Sequence, residues 1–80
     1  MSKRPDQPVQ VTEGSNGPTD FAWAGRWMHI QKVLDYWEEI GCWWRGEAPR
    51  EVFCVLTAEG GTFELHRLDG REWRLYREYD

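Results

Sequence analysis

Three short runs of β-branched and aromatic residues fill the second half of the chain: Glu51 to Thr57, Thr62 to Arg67 and Arg71 to Arg77. They are cut apart by Ala58-Glu59-Gly60-Gly61 and Leu68-Asp69-Gly70. Runs of this length and composition bounded by glycine turns read as strands, and connections this short join antiparallel neighbours. The segment is a three-stranded meander, which needs an apolar face packed against something else to be stable.

Keeping that face apolar sets the expected register. For the second hairpin, a two-residue Asp69-Gly70 loop would pair Leu65 with Arg74 and put an arginine inside. A three-residue Leu68-Asp69-Gly70 loop instead pairs Leu65 with Trp73, Phe63 with Leu75, Glu64 with Arg74 and His66 with Glu72, and is preferred. For the first hairpin, a Glu59-Gly60 turn sets Leu56 against Phe63 and Cys54 against Leu65. Phe53 and Val55 then face the other way, so residues 51–57 need cover on both faces, and the N-terminal strands must supply it.

In the first half, residues 1–8 have two prolines and no apolar side chain after Met1, which predicts a disordered tail before a single β domain over residues 9–80. Val9 and Val11 alternate with polar residues, Gly14-Ser15-Asn16-Gly17-Pro18 is a turn cluster, Phe21 and Trp23 resume the alternation, and Ala24-Gly25 marks a tight reversal. From Arg26 to Ile40 two readings compete. Ile30, Val33, Leu34, Trp37 and Ile40 recur at helical spacing with Gly41 as a C-terminal cap, whereas Trp27, Tyr36 and Trp37 favour sheet.

Eighty residues hold one small domain, which buries about 63% of its unfolded surface. Six Trp, three Tyr and three Phe let that thin core form without metal or disulfide, and leave little room for a deep catalytic cleft. A net charge of −4 argues against a nonspecific grip on nucleic-acid phosphates. The chain has no run of 18 apolar residues and no signal-peptide h-region, so a cytoplasmic location with no membrane partner is expected. Cys42 and Cys54 stand 12 residues apart and His29 and His66 are isolated, which is not a zinc pattern. Cys54 reads as a small buried hydrophobe, and a Cys42–Cys54 disulfide is disfavoured in a reducing compartment.

Across residues 20–80 a spaced pattern runs through Phe21-x-Trp23-x-Gly25-Arg26, Val33-Leu34-x-x-Trp37, Gly41-x-Trp43-Trp44, Arg50-x-x-Phe53-x-Val55, Gly61-x-Phe63-Glu64-Leu65, Trp73-x-Leu75 and Tyr79-Asp80. The pattern resembles a small bacterial domain of unknown function. It is also similar to the C-terminal β segment of the inactive, Y-family-polymerase-like accessory subunit of mutagenic translesion synthesis cassettes. In that segment a tryptophan pair precedes an Arg-aromatic strand, a glycine turn, an aromatic strand and a final Trp-x-Leu strand. The polymerase-like body has no counterpart here. The resemblance implies a long bent strand over residues 26–40 and a setting near DNA repair.

The candidate site follows from Trp43-Trp44-Arg45 and Arg50, on a loop flanked by glycine and proline. Neighbouring residues of an extended segment point to opposite faces, so one ring plugs the core while the other, Trp44 by preference, stays exposed. The competing reading has both rings closing a barrel end. Trp and Arg are enriched at binding hot spots, so an exposed Trp44 with Arg45 or Arg50 would orient an acidic or Pro-rich peptide. The arginines interleaved with Trp73, Tyr76 and Tyr79 could instead stack single-stranded bases, but Glu64, Glu72 and Glu78 interleave equally and cancel the field. Asp35, Glu38 and Glu39 lack a partner nucleophile and read as surface charge, and His66 opposite Glu72 reads as a sheet-surface pair. No P-loop, GxSxG or HExxH motif is present.

The expectation is a mainly β domain of five or six antiparallel strands, either a small SH3-like barrel or a strongly bent sheet, with room for one short helix near 34–41. Phe21, Trp23, Ile30, Leu34, Trp37, Cys54, Phe63, Leu65, Trp73 and Leu75 are expected inside. The expected function is a non-enzymatic protein-interaction module without cofactor or metal, accessory to DNA repair or translesion synthesis. The alternative is a single-stranded nucleic-acid-binding β domain.

Overall fold

A computed structural model describes residues 7–41, 43–46 and 48–79, the Trp43 side chain excepted. Residues 1–6 of the expected tail and Cys42 of the disfavoured disulfide lie outside the described residues. The strands are β1 (Gln7–Pro8), β2 (Val11–Gly14), β3 (Gly17–Trp23), β4 (Arg26–Glu39), β5 (Arg50–Thr57), β6 (Thr62–Leu68) and β7 (Glu72–Tyr79). They form one antiparallel sheet in the order β1-β7-β6-β5-β4-β3-β2, curled into a half-barrel.

Seven strands stand where five or six were expected, because the N-terminal segment serves both edges of the sheet. Gln7 pairs with Leu75 and the Val9 amide donates to the Trp73 carbonyl at 3.2 Å. One residue on, the Gln10 carbonyl accepts from Ala22 at 2.9 Å, and Val11 pairs with Phe21. Gln7 and Pro8, assigned to the tail from their polarity, are therefore paired strand.

The stretch from Arg26 to Glu39 is one continuous strand, so the short helix near 34–41 is absent; the only helical turn among the described residues is the 3-10 turn Trp43–Arg45. The helix-like spacing has a physical origin. Register shifts between Ile30 and Lys32 and between Val33 and Asp35 each insert one extra residue into β4. As a result Ile30, Val33 and Tyr36, three apart, pair with Thr57, Val55 and Phe53, two apart, along one face of β5. Two bulges have turned a period of two into a period of three.

The core comprises Phe21, Met28, Phe53, Val55, Phe63, Leu65, Trp73 and Leu75, with Val9, Val11, Trp23 and Ile30 packed against it. The Phe21 ring meets Phe63 edge-on at 5.1 Å, and Phe53 lies between Tyr36 at 4.8 Å and Trp73 at 5.3 Å. Three expected core residues are misplaced. Leu34 sits at a bulge and is 48% exposed, Trp37 is 36% exposed on the opposite face from Phe53, and Cys54, opposite Asp35, is half-buried on that same face.

Both hairpin registers also differ from expectation, the first by one residue and the second by two. The first loop is Ala58-Glu59-Gly60: Thr57 donates to and accepts from Gly61 through backbone and hydroxyl, and Gly60 takes a positive φ of 101°. Val55 therefore opposes Phe63 and Phe53 opposes Leu65, which sends Phe53 and Val55 inward and Cys54 outward. The second loop is Asp69-Gly70-Arg71, with both Asp69 and Gly70 at positive φ and the Arg71 amide bonded to the Leu68 carbonyl. Leu65 thus pairs with Leu75 and His66 with Arg74 rather than Glu72, and a bulge between Glu64 and Leu65 sets Glu64 opposite Arg77 rather than Arg74.

One end of the curled sheet is plugged by a polar network. Arg67 donates to Glu51 and Glu13, Trp73 Nε1 donates to Glu13 at 2.9 Å, and the Arg67 guanidinium lies over the Phe53 and Trp73 rings. Truncating Phe63 to Ala removes the ring that Phe21 packs on and should cost about 3–5 kcal/mol, whereas Leu34→Ala should cost under about 1 kcal/mol. Urea unfolding of both variants checks this contrast.

Candidate binding site

The proposed site residues come from two places in the fold. Trp43, Trp44 and Arg45 form the 3-10 turn that follows β4, and Arg50 opens β5. The Trp43 ring lies outside the described residues. Trp44 is 70% exposed and Arg45 is exposed, while Arg50 is half-buried. The turn and Arg50 thus sit at the same end of the sheet, but Arg50 belongs to a separate arrangement on the convex face.

Alternation along β5, β6 and β7 puts Arg50, Val52 and Cys54 on that face, with Glu64, His66 and Leu68, and with Arg74. Val52 is fully buried there, flanked in register by Trp37 and His66. His66, 3% exposed, stands at the centre of a bonded chain. Its Nδ1 lies 3.0 Å from Arg50 Nη1 and its Nε2 lies 2.6 Å from Glu64 Oε2. A guanidinium can only donate, so Nδ1 accepts and the ring proton sits on Nε2, donated to Glu64. The Tyr76 ring stacks on the imidazole at 4.3 Å, tilted by 13°. Tyr79 completes the chain by donating its hydroxyl to Glu64 Oε1 at 2.6 Å.

This chain controls ionisation. Burial alone pushes Glu64 up, but the hydrogen bonds from Tyr79 and His66, with the charge of Arg77, outweigh it and hold the carboxyl below its ordinary value. The same bond, with burial adding, pushes the Tyr79 phenol up to about 12. On the concave side, the Tyr36 hydroxyl reaches Glu51 at 2.9 Å and Glu38 at 3.1 Å, and chiefly the Glu51 bond pushes it up to about 12. Arg67 holds Glu51 below its ordinary value.

A shallow cavity of about 380 Å³ opens beside the chain, lined by Arg50, His66, Leu68, Arg74 and Tyr76. A second hollow, of about 330 Å³, separates the β2–β3 turn from β4 and is floored by Phe53 and Tyr36. Cys54 is an unpromising nucleophile, because burial and then the carboxylates of Glu64 and Asp35 push its thiol up. Among the described residues no cluster of His, Cys, Asp and Glu could hold a metal, and no helix is long and apolar enough to cross a membrane.

Sequence reasoning placed Arg50 in the site, but it missed the other residues of this cavity as a group. The expected pairing of His66 with Glu72 and of Arg74 with Glu64 lies two residues away from the observed register. The signal that finds them is the turn: with Asp69 and Gly70 both left-handed, Arg71 joins the loop and His66 falls opposite Arg74.

On comparison with known families, the whole chain, residues 1–80, matches a domain of unknown function, DUF6504, and the protein belongs to that family. Neither a curated protein nor a solved structure matches it.

The shifted carboxylates and phenols fix the pH response. Glu64 and Glu51 titrate below their unfolded value, so the stability they supply is present above about pH 4.5 and is lost as pH falls through their folded values. Tyr36 and Tyr79 titrate above theirs, so their contribution is present below 10 and lost as pH rises through about 12. Melting temperature against pH should fall at both extremes, and Tyr79→Phe should flatten the alkaline limb.

Proposed function

We propose that this DUF6504 protein is a non-catalytic protein-interaction module whose partner docks where the end of β4, the 3-10 turn and the start of β5 meet. The observation that supports it is a concentration of large apolar side chains left in solvent along one stretch of chain. Leu34 is 48% exposed, Trp37 36%, Ile40 87% and Trp44 70%. Single exposed apolar residues are ordinary on protein surfaces, but a contiguous group marks a contact surface. Arg45 and Arg50 stand at the same end, which gives the surface the aromatic and guanidinium groups that dominate binding hot spots.

The partner that fits is a polypeptide with apolar side chains to cover Ile40 and Trp44 and a carboxylate for the arginines. A setting in DNA repair or translesion synthesis rests on the residue pattern of 20–80 alone. The single-strand nucleic-acid reading has less support. Arg67 is held between Glu13 and Glu51, so this cation is already matched by carboxylates, and Glu64, Glu72 and Glu78 interleave with the arginines of the last two strands.

A partner identified by crosslinking in the native cell, then purified, should bind the wild-type chain and lose about 2 kcal/mol or more with Trp44→Ala, a factor of about 30 in affinity. The same variant should melt close to wild type, since the ring is mostly in solvent. Unchanged affinity for Trp44→Ala would overturn the site. Micromolar binding of single-stranded DNA that weakens steeply with salt would overturn the class.

A further inference from the structure

The cavity on the convex face has a chemistry of its own, distinct from the apolar rim. Two guanidinium-bearing residues, Arg50 and Arg74, come to it from the strands that flank β6, Arg50 opposite Leu68 and Arg74 opposite His66 in register. Leu68 and Tyr76 supply apolar walls. We infer that this pocket binds a single carboxylate, that of a glutamate side chain on a peptide, between Arg50 and Arg74.

The first support is positional. Arg50 is oriented from behind by a buried residue: His66 takes one of the five guanidinium donors and is itself held by Glu64 and clamped by Tyr76. A side chain fixed in this way loses little freedom on binding, which is the condition under which a planar guanidinium discriminates a planar carboxylate. The second support is the balance of charge. Around the cavity, Arg50, Arg74 and Arg77 are matched by their register partners Glu39 and Glu64 and by Glu72. A balanced surround with directional donors suits one negative charge, whereas a phosphate dianion or a polyphosphate backbone needs a net positive field. The third is the wall: Leu68 and the Tyr76 face offer contact to the methylene stem that carries a Glu carboxylate.

This reading deepens the protein-interaction proposal and rests on it for the source of the carboxylate, but the pocket is testable without the partner. The probes are the blocked peptide acetyl-Leu-Glu-Leu-amide, its Gln analogue and inorganic phosphate, each titrated into the full chain while the Arg Nε–H and Tyr76 ring signals are followed by NMR. The Glu peptide should shift the Arg50, Arg74 and Tyr76 signals saturably, and the Gln peptide should not. Arg74→Gln should weaken the Glu peptide about tenfold or more, and Arg50→Gln likewise, the new amide still donating to His66. Arg26→Gln, in the β3–β4 turn region, should change nothing. Equal response to the Gln peptide, tighter binding of phosphate, or no saturation by about 50 mM, beyond the millimolar range that two charge-assisted bonds support, overturns the proposal. Loss of partner binding in Trp44→Ala with no carboxylate response would sink this inference alone and leave the module intact.

Discussion

No residue of β4 is paired with a strand on both edges. Its first four residues bond to β3, and from Ile30 onward its pairing is with β5 on the opposite edge. A strand that changes partners in this way must bend, and the two bulges that follow the changeover supply the extra twist. The rest depends on this handover. It lets 14 residues serve both ends of a small sheet, it curls that sheet over one core, and it leaves residues 31–39 with one unpaired edge. An unpaired edge invites unwanted pairing, and β4 is defended by its bulges and by Lys32, Asp35, Glu38 and Glu39. The apolar residues nearby are a concession that the defence permits.

The two faces of the sheet solve their burial problems differently. The concave face is an aromatic and aliphatic core closed at one end by the Arg67 network. The convex face has no second layer, yet it buries Val52, Glu64 and His66 beneath their own neighbours. Buried polar groups are tolerable only when bonded, and among the described residues no buried side-chain polar atom lacks a partner. The Tyr79–Glu64–His66–Arg50 chain is how that face meets the requirement, and its outer end is the guanidinium that a ligand would meet.

Much of this was legible in the residues and some was not, for identifiable reasons. The meander, the Ala24-Gly25 reversal and the inward set of Phe21, Phe63, Leu65, Trp73 and Leu75 follow from alternation and turn chemistry. Register did not, because a hairpin loop of two, three or four residues can be written over the same glycine, and one step exchanges Cys54 for Phe53 and Val55 in the core. Met28 was missed because its neighbours Trp27 and Ile30 carry the stronger apolar signal. Trp37 and Leu34 are expected inside from their recurrence with Ile30 and Val33, and the two bulges of β4 break that recurrence without a mark in composition. Arg50 was found in the sequence. Its partner across β6, Arg74, needed the backbone.

The N-terminal segment that reaches both edges has a consequence for how the chain gets to its fold. Every other strand pairing joins neighbours in sequence, with the long β4–β5 connection as the widest, whereas Gln7 meets Leu75 across nearly the full length. Closing so long a loop has an entropic cost that must be met before its few contacts repay it. The meander and the β2–β3–β4 ribbon can each assemble locally, and the join at β1 comes last. It is also the seam that opens first: amides of Val9 and its neighbours should exchange with solvent through a local opening while those of β5 and β6 wait for global unfolding.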